Sequence, residues 1–181
     1  MKLKWAYGLL VSYSLMHLIF FFSTSSVLVD ILKMEADPLV FTVFNLMGLF
    51  PLSFLLYALF YETIEKKEYP YFILSFMLGA FALTPYFIKR KEVPSVTKNR
   101  PRAFLLVIGV MSLLLIIYGV ILGRVSEYSR AFMSDSFVHI MTFDFLFMIG
   151  LSVYLMYPIK KHWYLAFIPV VGFYYLLSTK D

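Results

Sequence analysis

An all-α bundle of six transmembrane helices is the fold class this sequence predicts, and three observations predict it. The 181 residues are 61% hydrophobic and only 15% charged, against roughly 45–50% apolar and about 25% charged in soluble domains. Six apolar segments approach the ~20 residues needed to cross the hydrocarbon core of a bilayer. None alternates with period two, so barrel strands are not indicated. Backbone groups in lipid must then be satisfied within helices.

The segments are Trp5–Ser23, Leu39–Tyr61, Tyr71–Ile88, Ala103–Gly123, Ser136–Tyr157 and Trp163–Ser178, and together they form one domain over residues 1–181. The first follows MKLK, as a signal peptide would, but the apolar run continues to Ser23 without a small-x-small cleavage site and reads as a retained helix. The second and third contain Pro51 and Pro85, which should kink them. Ser75 with Gly79 in the third, and Gly119 with Gly123 in the fourth, are small-residue pairs that let helices approach closely within the chain. The fifth is preceded by Ser134 and Asp135, good N-cap residues. The sixth is the shortest and is interrupted by Pro169. Trp5, Tyr61, Tyr71, Tyr157 and Trp163 stand near segment ends, as an interfacial belt requires.

The connections are short. Residues 24–38 include VLVDILKME, which reads as a short interfacial helix, and residues 89–102 hold six basic residues and one acid. The net charge of +5 resides in such connections, so it points to lipid phosphates and not to nucleic acid. Lys89, Arg90, Lys91, Lys98, Arg100 and Arg102 are the candidate contacts for anionic headgroups. With six spans both termini share one face, which carries Lys2, Lys4, Lys66, Lys67, Arg124, Arg130 and Lys180, seven in all. The opposite face carries Lys33, the six of residues 89–102, Lys160 and Lys161, nine in all. That balance places the termini outside, although the MKLK start argues the reverse. A bacterial inner membrane is the expected location.

Asp144 is the focal residue. A carboxylate in mid-membrane costs about 2.5–3.5 kcal/mol on insertion scales, so something in the fold must offset it. Three roles are open: an ion pair with Arg124, a neutral protonated carboxyl, or an acid/base or proton-relay group. His139 lies five residues away, roughly 140° around the helix, and faces a different groove. His17 and Asn45 fall at similar depth on different segments, where they could hydrogen-bond to each other. Asp144, His139, His17, Asn45 and Arg124 are thus the candidate ligand-binding or proton-linked residues.

Several chemistries are set aside. The absence of cysteine removes disulfides, thiolate ligands and thiol nucleophiles. Three histidines on separate segments lack metal-like spacing, and no nucleotide, hydrolase or zincin motif is present. No cofactor is indicated. Binding or transport of a small lipophilic or weakly charged molecule leads. A structural or assembly partner of a membrane complex is the alternative, and an intramembrane enzyme using Asp144 and a histidine the third reading.

Three stretches, FNLMGLFPL (Phe44–Leu52), LSFMLGAFALTPYF (Leu74–Phe87) and FVHIMTFDF (Phe137–Phe145), together resemble a family of small multi-span membrane proteins of cyanobacteria, chloroplasts and some other bacteria. The resemblance covers the chain from the second segment to the sixth. It implies a multi-span fold, and it marks Asn45, Gly48, Pro51, Pro85, His139 and Asp144 as motif residues without giving them an activity.

Overall fold

The computed structural model describes residues 3–24, 26–90 and 101–179, and among these every secondary-structure element is a helix, with no strand. Four helices are long and apolar enough to cross a membrane: α1 (Leu3–Phe20), α3 (Pro38–Tyr61), α6 (Arg102–Leu122) and α8 (Ser136–Met156). Between α1 and α3 lies the short α2 (Val27–Leu32), where the sequence places an interfacial helix.

Local chemistry starts these helices. Asp37 caps α3 by accepting the Leu39 N–H at 2.9 Å, with Pro38 at the first helical position, where its missing N–H costs nothing. Asp135 caps α8 by accepting from Val138 at 2.9 Å. Gly119 of α6 and its C-cap residue Gly123 serve packing within the chain. A Cβ at Gly119 would lie 2.5 Å from the Thr42 hydroxyl oxygen, and one at Gly123 would lie 2.6 Å from Leu39 Cβ. Helices α3 and α6 therefore run antiparallel in close contact.

These contacts define two ends of the bundle. At the far end, the C-termini of α1 and α6 meet the N-termini of α3 and α8. Ser136 N–H donates to the Ser23 carbonyl at 3.0 Å, and Arg124 sits 3.5 Å from Asp37. The amphipathic helix α7 (Val125–Ser134) covers this end, with Tyr128 and Thr142 hydroxyls 2.7 Å apart. The stretch appears in sequence only as a polar connection. Its charged residues, at 124, 127 and 130, mask the apolar face of Tyr128, Ala131 and Phe132 that packs inward.

Neither the third nor the sixth segment contains a single helix long and apolar enough to cross a membrane. Residues 69–89 form two ten-residue helices, α4 (Tyr69–Leu78) and α5 (Ala80–Lys89), hinged at Gly79 with φ 54° and ψ −133°. A continuous helix would hold Tyr71 and Lys89 about 27 Å apart. Instead, Lys89 Nζ donates to the Tyr71 hydroxyl at 2.8 Å, and the Phe72 and Tyr86 rings stand 4.8 Å apart. The segment folds back to the end it came from. There, Arg90 pairs with Glu62 at the close of α3 and donates to Tyr57, while Tyr86 donates to Glu62 at 2.7 Å. Burial opposes the charge on Arg90, but Tyr57 and Glu62 outweigh it and raise its pKa.

The sixth segment turns back in the same way. A 3-10 stretch, Trp163–Phe167, leads through Pro169 and a left-handed Val170 (φ 62°) into α9 (Val171–Ser178). Lys160 Nζ then donates to the Thr179 carbonyl at 2.7 Å, which closes the loop at the end where α8 finishes. Gly172 makes this possible, because a Cβ there would lie 1.7 Å from the Leu165 carbonyl oxygen.

Both hairpins enter from the terminal end, defined by the start of α1 and the close of α9. The described Lys and Arg residues divide unevenly as a result. Lys4, Lys66, Lys67, Lys89, Arg90, Arg102, Lys160 and Lys161 lie at the terminal end, eight in all, and Lys33, Arg124 and Arg130 lie at the far end. Lys91, Lys98 and Arg100, three of the headgroup candidates, lie outside the described residues.

Candidate functional site

Ten residues of α-helix reach only about 15 Å, so α4 and α5 fill one half of the bundle and stop. In the other half, above their tip, is a cavity of about 1000 Å³. Its walls come from α1, α3, α6 and α8, and its floor is the tip itself, with Gly79 and Asp144. The three stretches Phe44–Leu52, Leu74–Phe87 and Phe137–Phe145 all contribute to the lining.

Asp144 is 3% exposed and sits eight residues into α8, about 12 Å from its start. Its Oδ1 accepts the Ala80 N–H at 2.9 Å. Breaking a helix in apolar surroundings strands the first N–H groups of the new helix, and each costs several kcal/mol if left unpaired in hydrocarbon. Asp144 therefore caps α5 from 64 residues away, and the positive end of the α5 dipole stabilises the carboxylate in return. The fit is close. A Cβ on residue 79 would fall 1.7 Å from Asp144 Oδ2, and φ +54° already favours glycine there. Pro85 removes the N–H that would have bonded to the Phe81 carbonyl, and the Tyr7 hydroxyl supplies a replacement at 2.9 Å.

The expected ion pair with Arg124 does not form. Arg124 lies at the far end beside Asp37 and Glu127, at 3.5 and 3.7 Å, because α6 ends there and Asp144 is well inside the bundle. Among the described residues Asp144 has no cationic partner, and its Oδ2 accepts no hydrogen bond. The expected bond between His17 and Asn45 is also absent. Asn45 Nδ2 donates to the Phe41 carbonyl of its own helix at 2.8 Å, and its side chain lines the cavity.

His17 and His139 come together instead. Their rings stack at 4.0 Å with 7° between planes, and Phe132 stacks on the outer face of His139 at 4.3 Å. His139 Nδ1 is 3.0 Å from the Phe132 carbonyl, which can only accept, so this nitrogen carries a proton. In the neutral ring, Nε2 then accepts from the Tyr13 hydroxyl at 2.6 Å. His17 Nε2 meets the Ser136 hydroxyl at 3.2 Å. A second cavity of about 390 Å³ beside this cluster shares Ser23, Asp135 and Ser136 with the first. His139 and Asp144 face different grooves, as their spacing predicts, so neither histidine forms an acid/base pair with the carboxylate.

Gly79, Ala80, Tyr7 and Tyr13 were not among the sequence candidates. A signal for Gly79 existed, since a glycine followed six residues later by proline inside an apolar run marks a broken helix. The histidines and carboxylates among the described residues form no metal-binding group of three or more. Compared with models of known protein families, with curated proteins and with solved structures, the chain matches none.

Proposed function

We propose that this chain is a polytopic integral membrane protein with four spans and two re-entrant hairpins, and that it binds or moves a small lipophilic or weakly charged molecule in the cavity above Asp144. The observation that carries this reading is the broken helix at the cavity floor. Irregular backbone at membrane depth is tolerated where it is buried in protein or lines a cavity, and half-helix ends at the bilayer midplane are where membrane transporters hold their cargo. A solely structural bundle would gain more from one continuous helix through residues 71–88 and a filled interior. The intramembrane-enzyme reading loses support because no histidine reaches Asp144.

Four spans also change the orientation. The terminal end holds eight described Lys and Arg residues against three at the far end. The other five, Lys2, Lys91, Lys98, Arg100 and Lys180, adjoin terminal-end elements in sequence. Basic residues favour the cytoplasmic face, so the termini are cytoplasmic and the cavity lies in the opposite half of the membrane. This reverses the orientation that six spans imply.

Mass spectrometry of small molecules retained by protein purified in native lipid tests the reading, with Asp144→Asn alongside. A specific molecule held by the native protein and lost from the folded variant is the expected result. Bulk lipid alone in both samples would refute a binding cavity.

A further inference from the structure

The lining of the large cavity has a sign. Among the described residues it includes two carboxylates, Asp144 and Asp135, and no lysine, arginine or histidine. Asp135 is engaged as the N-cap of α8, whereas Asp144 presents Oδ2 to the floor without a partner among the described residues. The amino end of α5 contributes about half a positive charge, less than the full negative charge of a carboxylate. Asn45 adds a second acceptor, since its NH₂ group is turned back to Phe41 and its Oδ1 remains. Phenyl rings complete the wall at Phe44, Phe81 and Phe137, and a ring face attracts a cation within about 6 Å.

The rim is apolar. Helix α1 packs on α8 and α5, and α6 packs on α3 and α9, so above the hairpin tip the α1 and α6 walls are not drawn together. Phe22, Met77 and Met111 stand at this opening and are 65%, 86% and 63% exposed. A doorway of such side chains suits a solute arriving from hydrocarbon better than one arriving from water.

We propose that the occupant is a lipophilic organic cation, such as a quaternary or protonated amine with an aromatic or alkyl body, which reaches Asp144 sideways from the leaflet at the far end. This rests on the cavity reading above and specifies its ligand class. The ligand's body is held by the apolar walls and the rings, and its charge by Asp144.

Three tetraphenyl probes of nearly one shape separate the terms. Binding of tetraphenylphosphonium, tetraphenylsilane and tetraphenylborate is measured by equilibrium dialysis on protein in nanodiscs, with empty nanodiscs subtracted. Saturable binding of the phosphonium, weakened tenfold or more by Asp144→Asn, with no saturable binding of the borate, is the expected result. Asparagine keeps an acceptor for the Ala80 N–H. Should that variant fail to fold, Met111→Lys at the exposed rim places a fixed ammonium in the doorway and must also weaken the phosphonium. Equal binding of the neutral silane, unaffected by either substitution, would overturn the cation inference while leaving the cavity reading intact. Absence of saturable binding by all three would overturn both.

Discussion

Asp144 and Gly79 work as a unit, and neither residue's role is intelligible alone. The carboxylate occupies the space a side chain at residue 79 would need, and the hinge at Gly79 creates the N–H group that the carboxylate accepts. Gly79→Ala combines a collision with Asp144 and a φ of 54° that costs of order 1–3 kcal/mol for other residues. We expect this variant to be lost from the folded fraction in size-exclusion profiles, or to melt far below the native protein. Asp144→Leu leaves the Ala80 N–H buried and unpaired, at a cost of several kcal/mol in apolar surroundings, whereas Asp144→Asn retains an acceptor. Thermal unfolding in nanodiscs should therefore rank native protein and Asp144→Asn together, well above Asp144→Leu. A leucine variant as stable as the native protein would show that Asp144 does not cap α5. Asp144 was legible in the sequence as an expensive residue needing an offset. Its partner was not, because a backbone N–H becomes available only once the helix is known to break.

At the scale of elements, the two hairpins are the main departure from what periodicity and hydropathy indicate. An apolar run of 18 residues looks the same whether it spans the membrane or turns back midway, since both forms meet lipid on their outer faces. The turns depend on single residues: Gly79 in one, and Pro169 with Gly172 in the other. Gly79 was read as half of a small-residue packing pair, and Pro169 only as an interruption. The four long helices, the cap Asp135 and the packing role of Gly119 and Gly123 follow the ordinary rules and were readable. Helix α5 carries a testable repair. Pro85 leaves the Phe81 carbonyl without its helical donor, and Tyr7 supplies one. Tyr7→Phe should cost about 0.5–1.5 kcal/mol, and that cost should shrink in a Pro85→Ala background, where the helix supplies its own N–H. A double-mutant cycle measures the coupling. Equal costs in both backgrounds would show that the two residues act independently.

For the whole molecule, half-depth hairpins explain the cavity and the charge asymmetry together. Four long helices and two hairpins crowd the terminal half of the bundle, and the far half has only the long helices with α2 and α7 over them, which leaves the space above Asp144 open. The same folding back brings residues 89–90 and 160–161 to the terminal end, so the basic residues gather there. Because the chain contains no cysteine, single cysteines report sidedness directly. The decisive measurement is labelling of Lys66→Cys, Arg102→Cys, Arg130→Cys and Lys161→Cys by a membrane-impermeant maleimide, in sealed vesicles of known orientation. Four spans with two hairpins predict that positions 66, 102 and 161 label from the cytoplasmic side and position 130 from the opposite side. Labelling of 66 with 130 on one side, and of 102 with 161 on the other, would mean that the third segment crosses the membrane, and the four-span architecture would be wrong.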